Sequence, residues 1–316
     1  MHDDKVVDLT TAIRTHVQPG SSIALEGFSH LIPFAAGHEI IRQGITDLEL
    51  CRMTPDLLSD MLVAAGAVSS MVCSFFASGS AGSLYELRRR IEHHDPAPLP
   101  VSEYSHHAMV LRYHAGAAGL PFVPIRSFTG SDIPKINPEI RSVPDPYSGG
   151  RAYVVPPLNP DVTIIHAQRA DRRGNAQIWG ITGAQQEAAY AGRKTIVTVE
   201  EVVDDEVIRA DPNRTLIPAH AVDAVCEVPT GAHPSYVQGS YDRDNAFYRE
   251  WTPISKDPEA LHAWLDRYVR GTGDHAEYLA AIGAERLAGL RMAPRPSGSV
   301  DYGRRMTAAP SKRKDA

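Results

Sequence analysis

The residues of this chain best placed to do chemistry stand where short apolar runs end. In Val162 to Gly180 the run Val162-Thr163-Ile164-Ile165 leads into His166, Gln168 and Asp171, then breaks at Arg172-Arg173-Gly174-Asn175. A β-branched run this short, opened by Asn159-Pro160-Asp161, reads as a buried strand. Polar side chains at the carboxyl end of such a strand sit where open α/β sheets keep their ligands. Glu26-Gly27-Phe28-Ser29-His30 follows the run Ser22 to Leu25, and a glycine there permits a tight backbone path or close approach of a ligand. Glu200-Glu201 closes Lys194 to Val199, and His233 stands in Gly231-Ala232-His233-Pro234. A packed, hydrogen-bonded role is the simpler reading of both His166 and His233.

Two further stretches carry alternatives. The loop Ser78-Gly79-Ser80-Ala81-Gly82-Ser83 precedes a helix, so it either offers N–H groups and hydroxyls to an anion or only caps that helix. Glu103, between a proline-rich connector and a helix, is either a base or nucleophile or an acidic residue that suits the helix dipole. No Gly-Lys-Ser/Thr follows the small-residue loop, and G-x-G-x-x-G, H-E-x-x-H and G-x-S-x-G are all absent. A P-loop, a metalloprotease-type zinc site and a hydrolase elbow are therefore not expected, and neither is a bound metal. The chain by itself carries no complete catalytic set.

The elements that must position these residues alternate. Strands are expected at Ser22–Leu25, Asp47–Cys51, Ser70–Phe75, Val162–Ile165, Lys194–Val199 and Val222–Val228. Helices are expected from Leu9, Pro33, Pro55 (at a first turn), Leu84, His106, Ala184, Pro258 and Asp274. Strand, loop and helix in succession predict an α/β fold: an open, mostly parallel sheet with helices on both faces. Leu120 to Ile125 reads as buried but too rich in proline for a central strand, and 129–150 as a turn-dense surface excursion that serves as a lid or a subunit contact. Residues 1–293 form the expected domain; 294–316, where proline, serine and basic residues displace any apolar period, are expected to be a disordered tail.

A net charge of -6 disfavours a nucleic-acid partner, and no apolar run approaches the length of a membrane span. The polar N-terminus has no apolar signal core, and Cys51, Cys73 and Cys226 lie in apolar runs without a C-x-x-C pair. These features predict a soluble, cytoplasmic protein with reduced thiols.

Several pieces in order resemble the alpha (A) chain of the class I acyl-CoA transferases, of the glutaconate CoA-transferase kind. They include Ile23-Ala24-Leu25-Glu26-Gly27-Phe28, Leu120-Pro121-Phe122-Val123-Pro124, Ile164-Ile165-His166-Ala167-Gln168, Ile178-Trp179-Gly180 and Gly231-Ala232-His233-Pro234-Ser235. The resemblance spans about Val6 to Val269 and implies a CoA-transferase fold of the NagB/RpiA-like type. It also implies a beta subunit partner in an α2β2 or similar assembly, with acyl-CoA and a carboxylic acid as substrates. Coenzyme A enters as a thioester substrate, not a resident cofactor. The glutamate that forms glutamyl-CoA belongs to the beta subunit, which accounts for the missing catalytic set here. On this resemblance Glu26, Gly27 and Phe28 line the acyl cleft with Ser78, Gly79 and Ser80, while His166 and Gln168 position the cleft wall.

Two positions depart from the family pattern. Glu26 replaces the first glycine of a Gly-Gly-Phe turn, so its carboxylate either alters which acyl chain fits or faces solvent. Glu103 stands where the glutaconate enzyme has aspartate, and so resembles the alpha subunits of cholesterol ring-cleaving CoA hydrolases. That opens a second reading, a C–C hydrolase of steroid catabolism with Glu103 as base. A third, a non-catalytic sugar-phosphate-binding module of similar fold, would normally come with a helix-turn-helix, which is not evident.

Overall fold

A computed structural model describes residues 4–77 and 82–292. Among these, twelve strands form in chain order: β1 Ser22–Glu26, β2 Leu48–Arg52, β3 Val68–Cys73, β4 Val101–Glu103, β5 Val123–Ile125, β6 Arg141–Pro144, β7 Arg151–Val155, β8 Val162–Asp171, β9 Ala176–Gln177, β10 Lys194–Val203, β11 Thr215–Ile217 and β12 Ala224–Glu227. Parallel pairing gives the order β12-β10-β8-β1-β2-β3-β4. The short β9 and β11 add antiparallel beyond β8. The chain walks outward from β1 to β4, returns to β8 on the other side of β1, and walks outward again to β10 and β12. The strand order therefore reverses between β1 and β8. Open α/β sheets hold their ligand crevice at this point, outside the carboxyl ends of the strands.

Alternation along the strands sorts side chains into two cores, as expected for a sheet covered on both faces. Ile23, Leu25, Leu48, Leu50, Met71 and Cys73 pack against the helices Leu9–His16, Phe34–Arg42 and Leu57–Ala64. Ala24, Cys51 and Val72 point the other way, toward the helices His106–Ala117 and Gln185–Ala191. Glu26 continues the register of Ala24. That parity aims a carboxyl group at Tyr113 of the helix His106–Ala117 instead of at solvent.

The expected α/β fold stands, with local corrections. Pro55 precedes the helix Leu57–Ala64, whose N-cap is Asp56, so it lies just outside the first turn. Leu120 and Phe122 are 40% and 47% exposed, not buried, because β5 belongs to a separate antiparallel sheet in the order β5-β7-β6. That sheet also draws β6 out of the segment that reads as turns in sequence. The single helix expected over 274–290 is two, His275–Ile282 and Ala284–Leu290, broken at Gly283 with φ of 105°. The helix Asn245–Lys256 is new; Pro253 within it interrupts the helical signal. Ser78, Gly79, Ser80 and the tail 294–316 lie outside the described residues. Among those residues, no helix is long and apolar enough to cross a membrane.

Candidate functional site

The end of β1 is built on a buried ionic group. Arg52, the last residue of β2, is 1% exposed. Its guanidinium donates to the carbonyl oxygens of Leu25, of Gly27 at 3.2 Å and of Thr54 at 3.1 Å, and pairs with Asp56 at 2.8 Å. It thus satisfies carbonyls that leave the sheet where β1 and β2 end, a place with no ladder partner. Glu26, also 1% exposed, accepts from the Met53 N–H at 2.7 Å and from the Tyr113 hydroxyl at 3.0 Å. The carboxylate does not face solvent, so that alternative is set aside; it ties β1 to the β2 loop from beneath.

Burial pushes the Glu26 carboxyl up from its usual 4.5 to about 6, against the opposing pull of Arg52 and its two hydrogen bonds. The folded chain therefore holds this proton more tightly than the unfolded one. The group's contribution is fully present below about pH 4.5 and falls by about 2 kcal/mol as pH rises through 6. Glu26→Gln is expected to remove that part of the slope, read as the difference between variant and parent unfolding free energies from pH 4.5 to 6.5. Parallel curves would show that Glu26 does not ionise in a buried state.

Above this layer the first loop turns sharply. A Cβ on Gly27 would lie 2.6 Å from the Leu31 carbonyl oxygen and 2.8 Å from the Ile32 Cα, so only glycine fits. Ser29 and Leu31 take φ of 57° and 54°, a left-handed conformation costly for non-glycine residues and held here by its surroundings. The surroundings are the segment 235–238: the Leu31 N–H donates to the Tyr236 carbonyl at 3.1 Å, and the Ile32 N–H to the Ser235 hydroxyl at 3.2 Å. The His30 ring packs on Tyr236 at 4.7 Å. Its Nε2 accepts from the Gln238 N–H at 2.9 Å, which leaves Nδ1 to donate to the Ile181 carbonyl at 2.9 Å. Burial lowers the His30 pKa to about 4, so the ring is a neutral brace.

This bracing shapes a cavity of about 360 Å³ at the carboxyl ends of β1, β2 and β3. The β1 loop supplies Phe28, Ser29 and Ile32; the β2 loop, Thr54 and Asp56; the β3 loop, Phe75 and Ala77. His106, first residue of its helix, and Arg243 with Tyr248 complete the wall. His106 Nε2 lies 2.8 Å from the Thr54 hydroxyl, and burial lowers its pKa. Phe75, 64% exposed, also lines a neighbouring cleft of about 580 Å³ that contains Glu103.

The expected site residues divide accordingly. Phe28 lines the cavity, Gly27 forms its turn, and Glu26 lies under it. Glu103 ends β4 on the surface, in the adjoining cleft, its backbone carbonyl accepting from Asn137 at 2.8 Å. His166 and Gln168 are buried elsewhere on β8. His166 is fully buried between Thr198 and Glu200, each at 2.8 Å, and Glu200 in turn accepts from Thr230 N–H and the Tyr241 hydroxyl. Gln168 bonds the Trp179 carbonyl at 2.8 Å and accepts from its N–H at 3.3 Å. Both therefore clamp β8 to the segments beside it. His233 is held likewise, between the Tyr278 hydroxyl at 2.9 Å and Asp244 at 3.1 Å. Burial alone would raise the Asp244 pKa, but hydrogen bonds from His233, Arg286 and Phe247 hold it well below the carboxylate range.

Sequence reasoning missed Arg52, Thr54, His106, Arg243 and Tyr248. Arg52 had a signal, a charged residue ending an apolar strand, the same signal that marked Glu26. Arg243 and Tyr248 had none, since nothing local to them points to β1.

An open, mostly parallel sheet with a shaped cavity at the carboxyl ends of β1 to β3 defines a doubly wound α/β protein whose candidate ligand site lies at the strand ends. The Coenzyme A transferase family model matches residues 6–228. The chain is 49% identical to the alpha (A) chain of 3-oxoadipate CoA-transferase from Pseudomonas knackmussii, over 88% of this chain and 98% of that protein. It is 38% identical to the alpha (A) chain of glutaconate CoA-transferase from Acidaminococcus fermentans, over 92% and 95%. The crystal structure of that glutaconate coenzyme A-transferase aligns with a TM-score of 0.87 at 36% identity, covering 92% of this chain and 96% of that one. A cholesterol ring-cleaving hydrolase IpdA subunit of Rhodococcus jostii is 30% identical over 88% and 96%. This chain belongs to the class I coenzyme A transferases, as an alpha subunit.

Proposed function

We propose that this chain forms, with a beta subunit in an α2β2 or similar assembly, an enzyme that moves coenzyme A from an acyl-CoA to a carboxylic acid. The acid is of the 3-oxoadipate type, as in the relative at 49% identity. A beta-subunit glutamate attacks the acyl-CoA carbonyl and expels the CoA thiolate, giving a mixed anhydride. The thiolate then attacks the glutamyl carbonyl, releasing the acid and forming glutamyl-CoA. The incoming acid reverses these steps. In this chain the cavity beside Phe28 and Phe75 takes the acyl group.

One observation carries this reading: the carboxylates at the cavity are committed elsewhere. Glu26 is buried beneath it and accepts two hydrogen bonds, and Asp56 is ion-paired with Arg52 and caps a helix. Neither is placed as a nucleophile, which fits a reacting carboxylate supplied by a partner. The purified chain is therefore expected to show no CoA exchange between an acyl-CoA donor and 3-oxoadipate, and addition of the beta subunit is expected to restore it. Full turnover by the chain alone would sink the proposal.

The ring-cleaving hydrolase reading rests on Glu103, exposed in the cleft next to the acyl cavity. The same assay separates the two. Glu103→Gln in the assembled complex leaves transfer unchanged if Glu103 only ends β4, two residues before the Ser105 N-cap, and abolishes turnover without loss of assembly if it is the base.

A further inference from the structure

Among the apolar side chains of Phe28, Ile32, Phe75 and Ala77, Thr54 and His106 set a polar pair into the wall of the cavity. The charges at the lining are held by the protein: Asp56 pairs with Arg52 at 2.8 Å, and Arg243 donates through Nε to Asn245 at 2.7 Å. Thr54 and His106, from the loops that follow β2 and β4, bond instead to each other, Oγ1 to Nε2 at 2.8 Å. Burial lowers the His106 pKa, so the ring is neutral at pH 7 and carries one N–H. The pair then holds two protons, and its mutual bond uses one of them. If the Thr54 hydroxyl donates to Nε2, the Nδ1–H is left; if the Nε2–H donates, the hydroxyl proton is left. Either tautomer keeps one neutral donor, and among the described residues neither side chain has a further hydrogen-bond partner. Both residues are half-buried and line the cavity, so a ligand there can reach the pair.

We infer that the Thr54–His106 pair selects the acid by its 3-oxo group: it donates one hydrogen bond to the ketone oxygen, while Phe28, Ile32 and Phe75 enclose the carbons beside it. The inference rests on the CoA-transfer reading above and adds to it two specificity residues. A ketone oxygen accepts a hydrogen bond and brings no charge, which matches a single neutral donor in an apolar wall. Each side chain of the pair holds the other, so little rotamer freedom is lost when the ketone binds. An acid with a methylene at that position leaves the donor stripped of water and unpaired, and binds more weakly for that reason.

The test uses the assembled two-subunit complex and one acyl-CoA donor at fixed concentration. The acceptors are 3-oxoadipate and adipate, equal in length and different only in the ketone. The parent enzyme is expected to show a KM for 3-oxoadipate roughly ten-fold below that for adipate. Thr54→Val combined with His106→Phe removes both protons of the pair. That double variant should raise the KM for 3-oxoadipate roughly ten-fold and leave that for adipate unchanged or lower. Thr54→Val alone, the milder change, should show the same split at about three-fold. Thr54→Ser keeps the hydroxyl and should stay within about two-fold of the parent for both acids. Adipate turnover serves as the check that the variants remain folded and assembled. Equal KM changes for both acids in either valine variant, or an unchanged KM for 3-oxoadipate, would overturn the inference. A parent enzyme that uses adipate as readily as 3-oxoadipate would also overturn it, and would leave the CoA-transfer reading intact. Absence of CoA exchange with every acid tried would instead defeat that reading.

Discussion

Arg52→Met is expected to destabilise the chain by about 3–5 kcal/mol, the scale for removing one partner of a buried ion pair. The reason is the number of groups that depend on one side chain. Arg52 answers the carbonyls of Leu25, Gly27 and Thr54 as well as the Asp56 carboxylate, all at or near the ends of β1 and β2. Methionine fills the space of the aliphatic stem but leaves three carbonyls and a charge in a buried layer. Glu26, already raised to about 6, loses its nearest opposing cation and shifts further up. Urea denaturation at pH 7 measures the loss. Arg52→Met combined with Asp56→Asn should recover part of it, because the stranded charge is gone while an oxygen remains to cap the helix Leu57–Ala64. A single-variant loss below about 1 kcal/mol would mean that the layer is not held by Arg52.

Gly27→Ala is expected to cost about 3 kcal/mol and to lower kcat/KM of the assembled enzyme about 100-fold. The atoms a methyl group would strike are backbone: the Leu31 and His30 carbonyl oxygens, at 2.6 and 2.9 Å, and the Ile32 Cα at 2.8 Å. No rotamer change relieves such contacts. The loop would have to open, and it carries Phe28 and Ser29 into the cavity. Gly289→Ala is the control. Gly289 lies in the helix Ala284–Leu290 with nothing within 4 Å of its added Cβ, so alanine there should be neutral or slightly stabilising. If the two variants denatured alike and Gly27→Ala kept full activity, the tight turn would have no part in shaping the site.

Much of this protein was legible in its residues. Short β-branched runs, each followed by a loop and an apolar helical face, encode a parallel sheet because a strand buried on both faces needs no polar alternation. Glu26 and His166 drew notice because a polar side chain at the end of an apolar run is locally unusual. Their roles were not legible. His166 is locked by Thr198 and Glu200 on β10, and Glu26 is received by Tyr113 from a helix far along the chain. The helix Asn245–Lys256 was hidden by Pro253, because local propensity speaks against a proline that tertiary packing tolerates.

What the sequence by itself determined was the succession of elements and the family pattern, since both are written in neighbouring residues. What only the tertiary structure decided was adjacency. β1 and β8 lie side by side although the whole first half of the fold separates them, and their meeting creates the switch point. Arg243 reaches the cavity at the end of β1 in the same way, carried there by the helix that begins at Asn245. Strand pairing and helix docking between distant segments are set by the burial of whole faces, a free energy summed over the fold and written at no single position.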